Sequence, residues 1–276
     1  MQIIEKISQM QEIGKSWNET IGFVPTMGYL HQGHLSLVKA AKKECDIVVV
    51  SIYVNPTQFS PNEDLNTYPR DFEKDLKLLS DLEVDYVFFP SNSEMYPDGY
   101  KTWVMVDEIT EMLCGKSRPT HFRGVTTIVS KLMNIVNPDY MYMGEKDFQQ
   151  VTVLKQMVRD LNFKTEIREC SIVREDDGLA MSSRNKNIKT EDREKALCLN
   201  KALKLAQKLF DEGITDATVI IKKITELIND SNAVPDYIEI VDHTTLKTTE
   251  KAYSGCRILL AVFVGKIRLI DNAKLI

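Results

Sequence analysis

The sequence predicts an α/β fold: a mostly parallel sheet with helices on both faces, followed by a smaller α+β domain. Three observations carry this. Strand-like and helix-like segments alternate over the first two-thirds of the chain. Several strands are nearly continuous runs of apolar and β-branched residues, the mark of strands buried on both faces. Beyond Val173 the order changes to two helices and then three strands.

In order, Ile3 to Lys15 has helical apolar spacing, and Ile21–Pro25 reads as a short strand. Gly33–Glu44 reads as a helix, with Leu35, Leu37, Val38 and Ala41 apolar and three lysines near its end. Asp46–Val54 is the strongest buried strand. Asp71–Leu82 is helical and Val84–Pro90 another buried strand. Gly124–Val136 is a helix, Tyr140–Met143 a short strand, Phe148–Leu161 a helix and Lys164–Val173 a strand. Arg174–Lys189 is a polar loop or hinge. Helices over Thr190–Glu212 and Asp216–Asn229 follow, then strands at Tyr237–Asp242, Arg257–Val264 and Ile267–Ile270. Gly265-Lys266 suits the hairpin turn between the last two. The expected division is 1–173 and 174–276.

The 276 residues are 43% hydrophobic and 27% charged, with net charge −5, the balance of a globular protein with a sizeable core. That charge argues against a surface made for nonspecific nucleic-acid or anionic-membrane binding. No apolar run approaches the roughly 18–20 residues of a membrane span. Met1–Lys15 lacks a signal-peptide core, so the expectation is a cytoplasmic protein. The five cysteines are widely spaced, without a Cys-x-x-Cys pair, and suggest neither a disulfide framework nor a zinc ribbon.

Parallel sheets bind ligands at the carboxyl ends of their strands. Polar motifs gather there. Pro25-Thr26-Met27-Gly28-Tyr29-Leu30-His31-Gln32-Gly33-His34 joins a strand to a helix start. Two imidazoles on one turn, a glycine between them and a helix N-terminus suit phosphate charge. Half of a metal site is the alternative. Gly144-Glu145-Lys146-Asp147-Phe148-Gln149-Gln150 offers Lys146 to a phosphate and Gln150 to the same mouth. Asp147 and Gln150 also read as a capping box. Gln58, after Asn55-Pro56, can bond a substrate or simply be solvated. Arg118–Val125 is a basic stretch that attracts anions or forms a solvated loop. Met181-Ser182-Ser183-Arg184 is a phosphate clamp or a helix cap region.

The ordered set Pro25-Thr26-Met27-Gly28, His31-x-Gly33-His34, Asn55-Pro56-x-Gln58-Phe59, Tyr68-Pro69-Arg70, Arg118-x-x-His121-Phe122-x-Gly124-Val125, Gly144 to Gln150 and Val173-Arg174-Glu175-x-Asp177 to Asn185 resembles the pantoate–β-alanine ligase (pantothenate synthetase) family. It extends to about Asn185; the C-terminal third has fewer diagnostic residues.

The resemblance implies a Rossmann-type N-terminal domain and a C-terminal lid. It implies the wider His-x-Gly-His nucleotidyltransferase group and a homodimer. It implies ATP-dependent joining of (R)-pantoate to β-alanine through a pantoyl-adenylate, giving pantothenate, a coenzyme A precursor, with AMP and pyrophosphate. Mg²⁺ would accompany ATP. His31 and His34 would hold the phosphates, with His34 as catalytic acid. Met27, Gly28 and Gly33 would line that loop. Gly144, Glu145, Lys146 and Asp147 would meet the nucleotide, and Val173 its adenine or ribose side. Met181, Ser182, Ser183 and Arg184 would close over the triphosphate. Gln58 and Gln150 would hold pantoate. Met143 departs from the aromatic expected there. The metal ligands stay open between Asp75 and others, with a solvated helix face as the alternative for Asp75. Two rival readings are another nucleotidyltransferase of the group, acting on a phosphorylated acceptor, and a non-catalytic nucleotide-binding module.

Overall fold

The computed structural model describes residues 1–61 and 63–276. Six parallel strands form one sheet: β1 (Gln2–Ile4), β2 (Ile21–Thr26), β3 (Ile47–Ile52), β4 (Tyr86–Phe88), β5 (Tyr140–Gly144) and β6 (Glu166–Cys170), in spatial order β1-β4-β3-β2-β5-β6. Between them lie α1 (Ile7–Lys15), α2 (Gln32–Glu44), α3 (Phe72–Ser80), the short α4 (Asn92–Met95) and α5 (Cys114–Ser117), α6 (His121–Val136) and α7 (Phe148–Asp160). The chain continues through α8 (Thr190–Ala196), α9 (Cys198–Asp211) and α10 (Ala217–Asp230). It ends in an antiparallel sheet of β7 (Val234–Val241), β8 (Arg257–Val264) and β9 (Ile267–Lys274).

Strand alternation sorts the core into two faces. Phe23 pairs with Val49 on one side and Met141 on the other. These three pack with Val129, Leu132 and Met157 of α6 and α7. The intervening Val24, Val48 and Val50 pack with Leu35, Val38 and Leu79 of α2 and α3. Met143 is buried on the first face, where its flexible chain fills the space. A separate core, including Ile220, Ile224, Ile240 and Leu260, joins α10 to the antiparallel sheet.

The sheet grows from β2 through β3 to β4, whereas β5 and β6 add on its other side. Loops leaving β2 and β5 therefore diverge at a switch point and open a crevice.

Some elements differ from the sequence reading. Ile3 lies in β1, which pairs with β4, and the helix begins only at Ile7. The helix expected over Thr190–Glu212 divides at Leu197. β9 runs four residues past Ile270, because Asp271 and Asn272 are buried rather than turned to water.

Candidate active site

The loop after β2 is held by the protein's own side chains. Gly28 and Tyr29 both take left-handed backbone, with φ of 78° and 52°. Asp75 of α3 holds them there: its two carboxylate oxygens accept the Tyr29 and Leu30 N–H groups, each at 2.7 Å. Asp75 is buried, which raises its pKa despite those bonds. It is neither a solvated face nor turned outward as a cation ligand.

The chain then enters α2 through the two histidines. His31 is the N-cap, and its Nδ1 accepts the Gly33 N–H at 3.1 Å. His34 Nδ1 reaches back to accept the His31 N–H at 3.4 Å. This is a reciprocal capping box made from imidazoles. A backbone N–H can only donate, so both Nδ1 atoms are unprotonated and each neutral ring carries its proton on Nε2. The rings lie 4.0 Å apart between centroids. Burial lowers the His31 pKa to about 4, with the Lys146 charge assisting. Burial, then His31 and Lys146, hold His34 well below its usual value. Both rings are neutral donors at pH 7. A neutral ring with its proton on Nε2 can still donate that proton, so the role of catalytic acid implied for His34 does not require a stored imidazolium. Gly33 does more than admit a ligand, since a Cβ there would lie 2.9 Å from the His31 ring.

The Asp147–Gln150 capping box does not form: Asp147 caps α7 without a side-chain bond. Its carboxylate instead lies 3.4 Å from Lys146 Nζ. Gln150 is thus left to face the cleft.

Gln58 sits on a single 3₁₀ turn, Pro56–Gln58, packed on α6. Buried Asn55 orients it, donating to Gln58 Oε1 and to the Gly124 carbonyl, both at 3.1 Å. Gln58 Nε2 is left beside Met27 Sδ at 2.9 Å. The Arg118–Val125 stretch is no free anion trap. Arg118 forms a two-pronged ion pair with Glu63, at 2.8 and 2.6 Å. His121, held near pKa 4 by burial and then by Arg118, uses its Nδ1–H on the Gln58 carbonyl at 3.0 Å.

Gly124 is what lets this turn approach α6. A Cβ there would stand 2.5 Å from the Thr57 carbonyl oxygen and 2.6 Å from the Gln58 nitrogen. Gly124→Ala is expected to destabilise the fold by about 1–3 kcal/mol, the usual cost of overpacking against backbone. Denaturant unfolding, compared with the wild type, checks this; an unchanged midpoint would show that the turn yields freely.

The Met181–Arg184 loop lies over the same crevice. Ser182 Oγ accepts the Arg184 N–H at 3.3 Å, so the cap reading holds in part. Ser183 bonds the Tyr68 hydroxyl at 3.0 Å. Arg184 is paired with Asp64 at 2.8 and 2.9 Å and has Tyr68 beneath it. A phosphate would have to share that guanidinium.

A cavity of about 240 Å³ collects Met27, His31, Gly33, His34, Gln58, Gly144, Lys146, Asp147, Gln150, Val173, Met181, Ser182, Ser183 and Arg184. Two residues named from sequence are elsewhere. Gly28 gives its N–H to Thr26 Oγ1 at 3.1 Å. Glu145 directs its carboxylate to Arg257, 3.5 Å away. The cavity continues into one of about 680 Å³ beneath the antiparallel sheet, sharing Lys146, Gln150 and Arg184. Sequence reading gives no role to Asn55, Asp64 or the apolar wall of Val125, Ile128 and Val129, and offers Asp75 only as a metal ligand or a solvated face. Asn-Pro after a strong strand was the one local signal, for Asn55.

The family model described as pantoate-beta-alanine ligase matches residues 2–274. The chain is 55% identical over 276 residues to the pantothenate synthetase of Acetivibrio thermocellus, covering 99% of this chain and 98% of the relative. It is 54% identical over 275 residues to that of Thermosipho africanus, covering 99% of each. The solved pantothenate synthetase of Thermus thermophilus superposes with TM-score 0.95 at 40% identity, covering 99% of both chains. That of Francisella tularensis, solved with an ATP compound and β-alanine, gives 0.83 at 42% identity, covering 99% and 97%. The chain therefore belongs to the pantoate–β-alanine ligase family.

Proposed function

We infer that this cleft joins pantoate to β-alanine with ATP, by way of a pantoyl-adenylate. The observation that carries this is the cavity itself. Its lining brings His31, His34 and Lys146 together with Gln58, Gln150 and the apolar side chains of Val125, Ile128 and Val129. The β-alanine and ATP compound in the Francisella tularensis structure support the same substrates here.

In the first step a pantoate carboxylate oxygen attacks the α-phosphorus of ATP, and pyrophosphate leaves. Gln58 Nε2 and the Gln150 amide orient pantoate, while the apolar wall takes its methyl groups. The Nε2–H groups of His31 and His34, the start of α2 and Lys146 stabilise charge on the phosphates. Ser182, Ser183 and Arg184 close the cleft and exclude water from the mixed anhydride. In the second step the free amine of β-alanine attacks the acyl carbon, the acyl carbon–oxygen bond breaks so that AMP leaves with its electron pair, and the proton shed by the new amide nitrogen passes to solvent.

Among the described residues no group of three or more His, Cys, Asp or Glu is arranged for a metal, and Asp75 does not fit that role. We propose that Mg²⁺ would arrive with the ATP phosphates and offset part of their charge. The division near Val173–Arg174 is proposed on the change of element order there, a cytoplasmic location on the lack of a signal-like apolar segment in Met1–Lys15, and a homodimer on family resemblance. Exposed Trp103 and Met105 support a dimer, as apolar surface that a second copy would cover. Among the described residues no helix is long and apolar enough to cross a membrane.

The test is product release from purified protein with Mg-ATP. Pantoate alone should give one equivalent of pyrophosphate, and adding β-alanine should give sustained AMP. A nucleotidyl group retained on some other acceptor would overturn the reading.

The tautomers set the pH dependence. Protonating His31 destroys its cap acceptor, which requires pH near 4. Adenylation should therefore show no acid limb at pH 6–7. Stability follows the same sign: it is full above the unfolded value of 6.5 and falls as pH drops toward about 4, because the unfolded chain takes protons that native His31 refuses. A pH profile of pantoate-dependent ATP–pyrophosphate exchange checks the first. A limb at 6.5 that tracks the histidines would refute it.

A further inference from the structure

The antiparallel sheet sends one buried amide into the adenylation site. Asn272 of β9 is 2% exposed. Its Nδ2 donates both hydrogens across the chain, to the Glu145 carbonyl at 2.9 Å and the Lys146 carbonyl at 3.0 Å. Arg257 of β8 fixes which way the amide faces, donating from Nη1 to Asn272 Oδ1 at 2.6 Å. The guanidinium itself lies 3.9 Å over the Phe148 ring and reaches Glu145 Oε1 at 3.5 Å. The neighbouring Asp271 grips Arg174, at the root of the Met181–Arg184 loop, at 2.6 and 3.0 Å.

The turn that these groups hold has no side-chain cap of its own, since Asp147 makes none. Lys146 depends on borrowed bonds for a fixed backbone. From that backbone its ammonium is placed close enough to depress both His31 and His34.

We propose that Asn272, oriented by Arg257, is a positioning residue for Lys146 in adenylation. It touches no substrate and acts through the Lys146 backbone. The C-terminal part is then a component of the phosphate site and not only a cover over it. The proposal rests on the assignment of Lys146 to the ATP phosphates.

The experiment is a double-mutant cycle on the full-length enzyme, read as pantoate-dependent ATP–pyrophosphate exchange. Asn272→Asp keeps the shape and the Arg257 contact but turns an oxygen toward two carbonyls. Alone it should lower the exchange kcat by about tenfold or more, with pantoate affinity within about twofold of wild type. In a Lys146→Ala background the same substitution should change exchange by less than about twofold, because the group it positions is gone. Losses that simply multiply would overturn the proposal and leave Asn272 a packing residue. Wild-type protein without pantoate-dependent exchange would instead overturn the Lys146 assignment. If the aspartate variant does not fold, Asn272→Ser carries the same cycle, since serine offers one donor and leaves room for water.

Discussion

His34→Ala is expected to lower turnover roughly 10²–10³-fold, the scale for losing one preorganised donor to a developing anion. The geometry defines what is lost. His34 Nδ1 is occupied by the His31 N–H, so its Nε2–H is free to meet phosphate oxygens. A neutral donor costs nothing to reorganise and does not titrate near pH 7, because burial and the neighbouring Lys146 suppress the charged form. The alanine variant also loses one bond of the capping box. That part should cost only about 1 kcal/mol of stability. The two losses can be separated. His34→Gln places an amide oxygen where a capping box uses one, so it should restore the unfolding midpoint without restoring the rate. Recovery of both would mean that His34 serves the helix start alone. Steady-state kinetics beside thermal unfolding distinguish these results.

The sheet was legible because strands buried on both faces must be apolar, and those runs stand out in Ile47–Ile52 and Ile21–Thr26. Gln2–Ile4 escaped because three residues cannot show a period of two, and the adjoining helical spacing absorbed Ile3. β9 was cut short at Ile270 because Asp271 and Asn272 look like a turn. They are strand residues whose side chains bond Arg174, Glu145 and Lys146, about 100 positions away or more. A local rule was broken there for the sake of a distant contact.

Capping failed in an informative way. Asp147 with Gln150 has the side chains of a capping box, yet the bond pattern belongs to His31 and His34. Imidazole Nδ1 is as good an acceptor as a hydroxyl, but capping preferences written for Ser, Thr, Asp and Glu do not name it. The motif residues could be located from sequence because they follow strand ends. Their orientation could not. Arg184 looks like a free phosphate clamp until Asp64 is found against it, and Arg118 until Glu63 is. Asn55 fixes Gln58 through a turn that packs closely on α6, a contact between segments 69 residues apart that no local pattern encodes.

Lys146→Ala should damage the first half-reaction far more than the second. Pyrophosphate leaves in adenylation with its charge growing beside the Lys146 ammonium, and an ion held near a developing anion is worth about 10²–10³-fold in rate. In amidation the departing AMP also gains a negative charge, but on its α-phosphate oxygen and after pyrophosphate has gone, away from the pyrophosphate oxygens assigned to Lys146. Isolated pantoyl-adenylate should therefore react with β-alanine within about tenfold of the wild-type rate. Equal loss in both steps would mean that Lys146 positions the shared acyl–phosphate group instead. A second effect follows from the electrostatics. Lys146 helps to depress both imidazoles, so removing it lets their pKa values rise toward 6.5 while burial still holds them low. The acid limb of whatever exchange survives should move to higher pH, and the capping box should weaken at a higher pH than in the wild type. The partial reactions and the pH profile thus test one placement by two routes: a charge that serves the phosphates when ATP is bound also helps to keep the imidazoles neutral, while the capping bonds to Nδ1 leave Nε2–H for the phosphates.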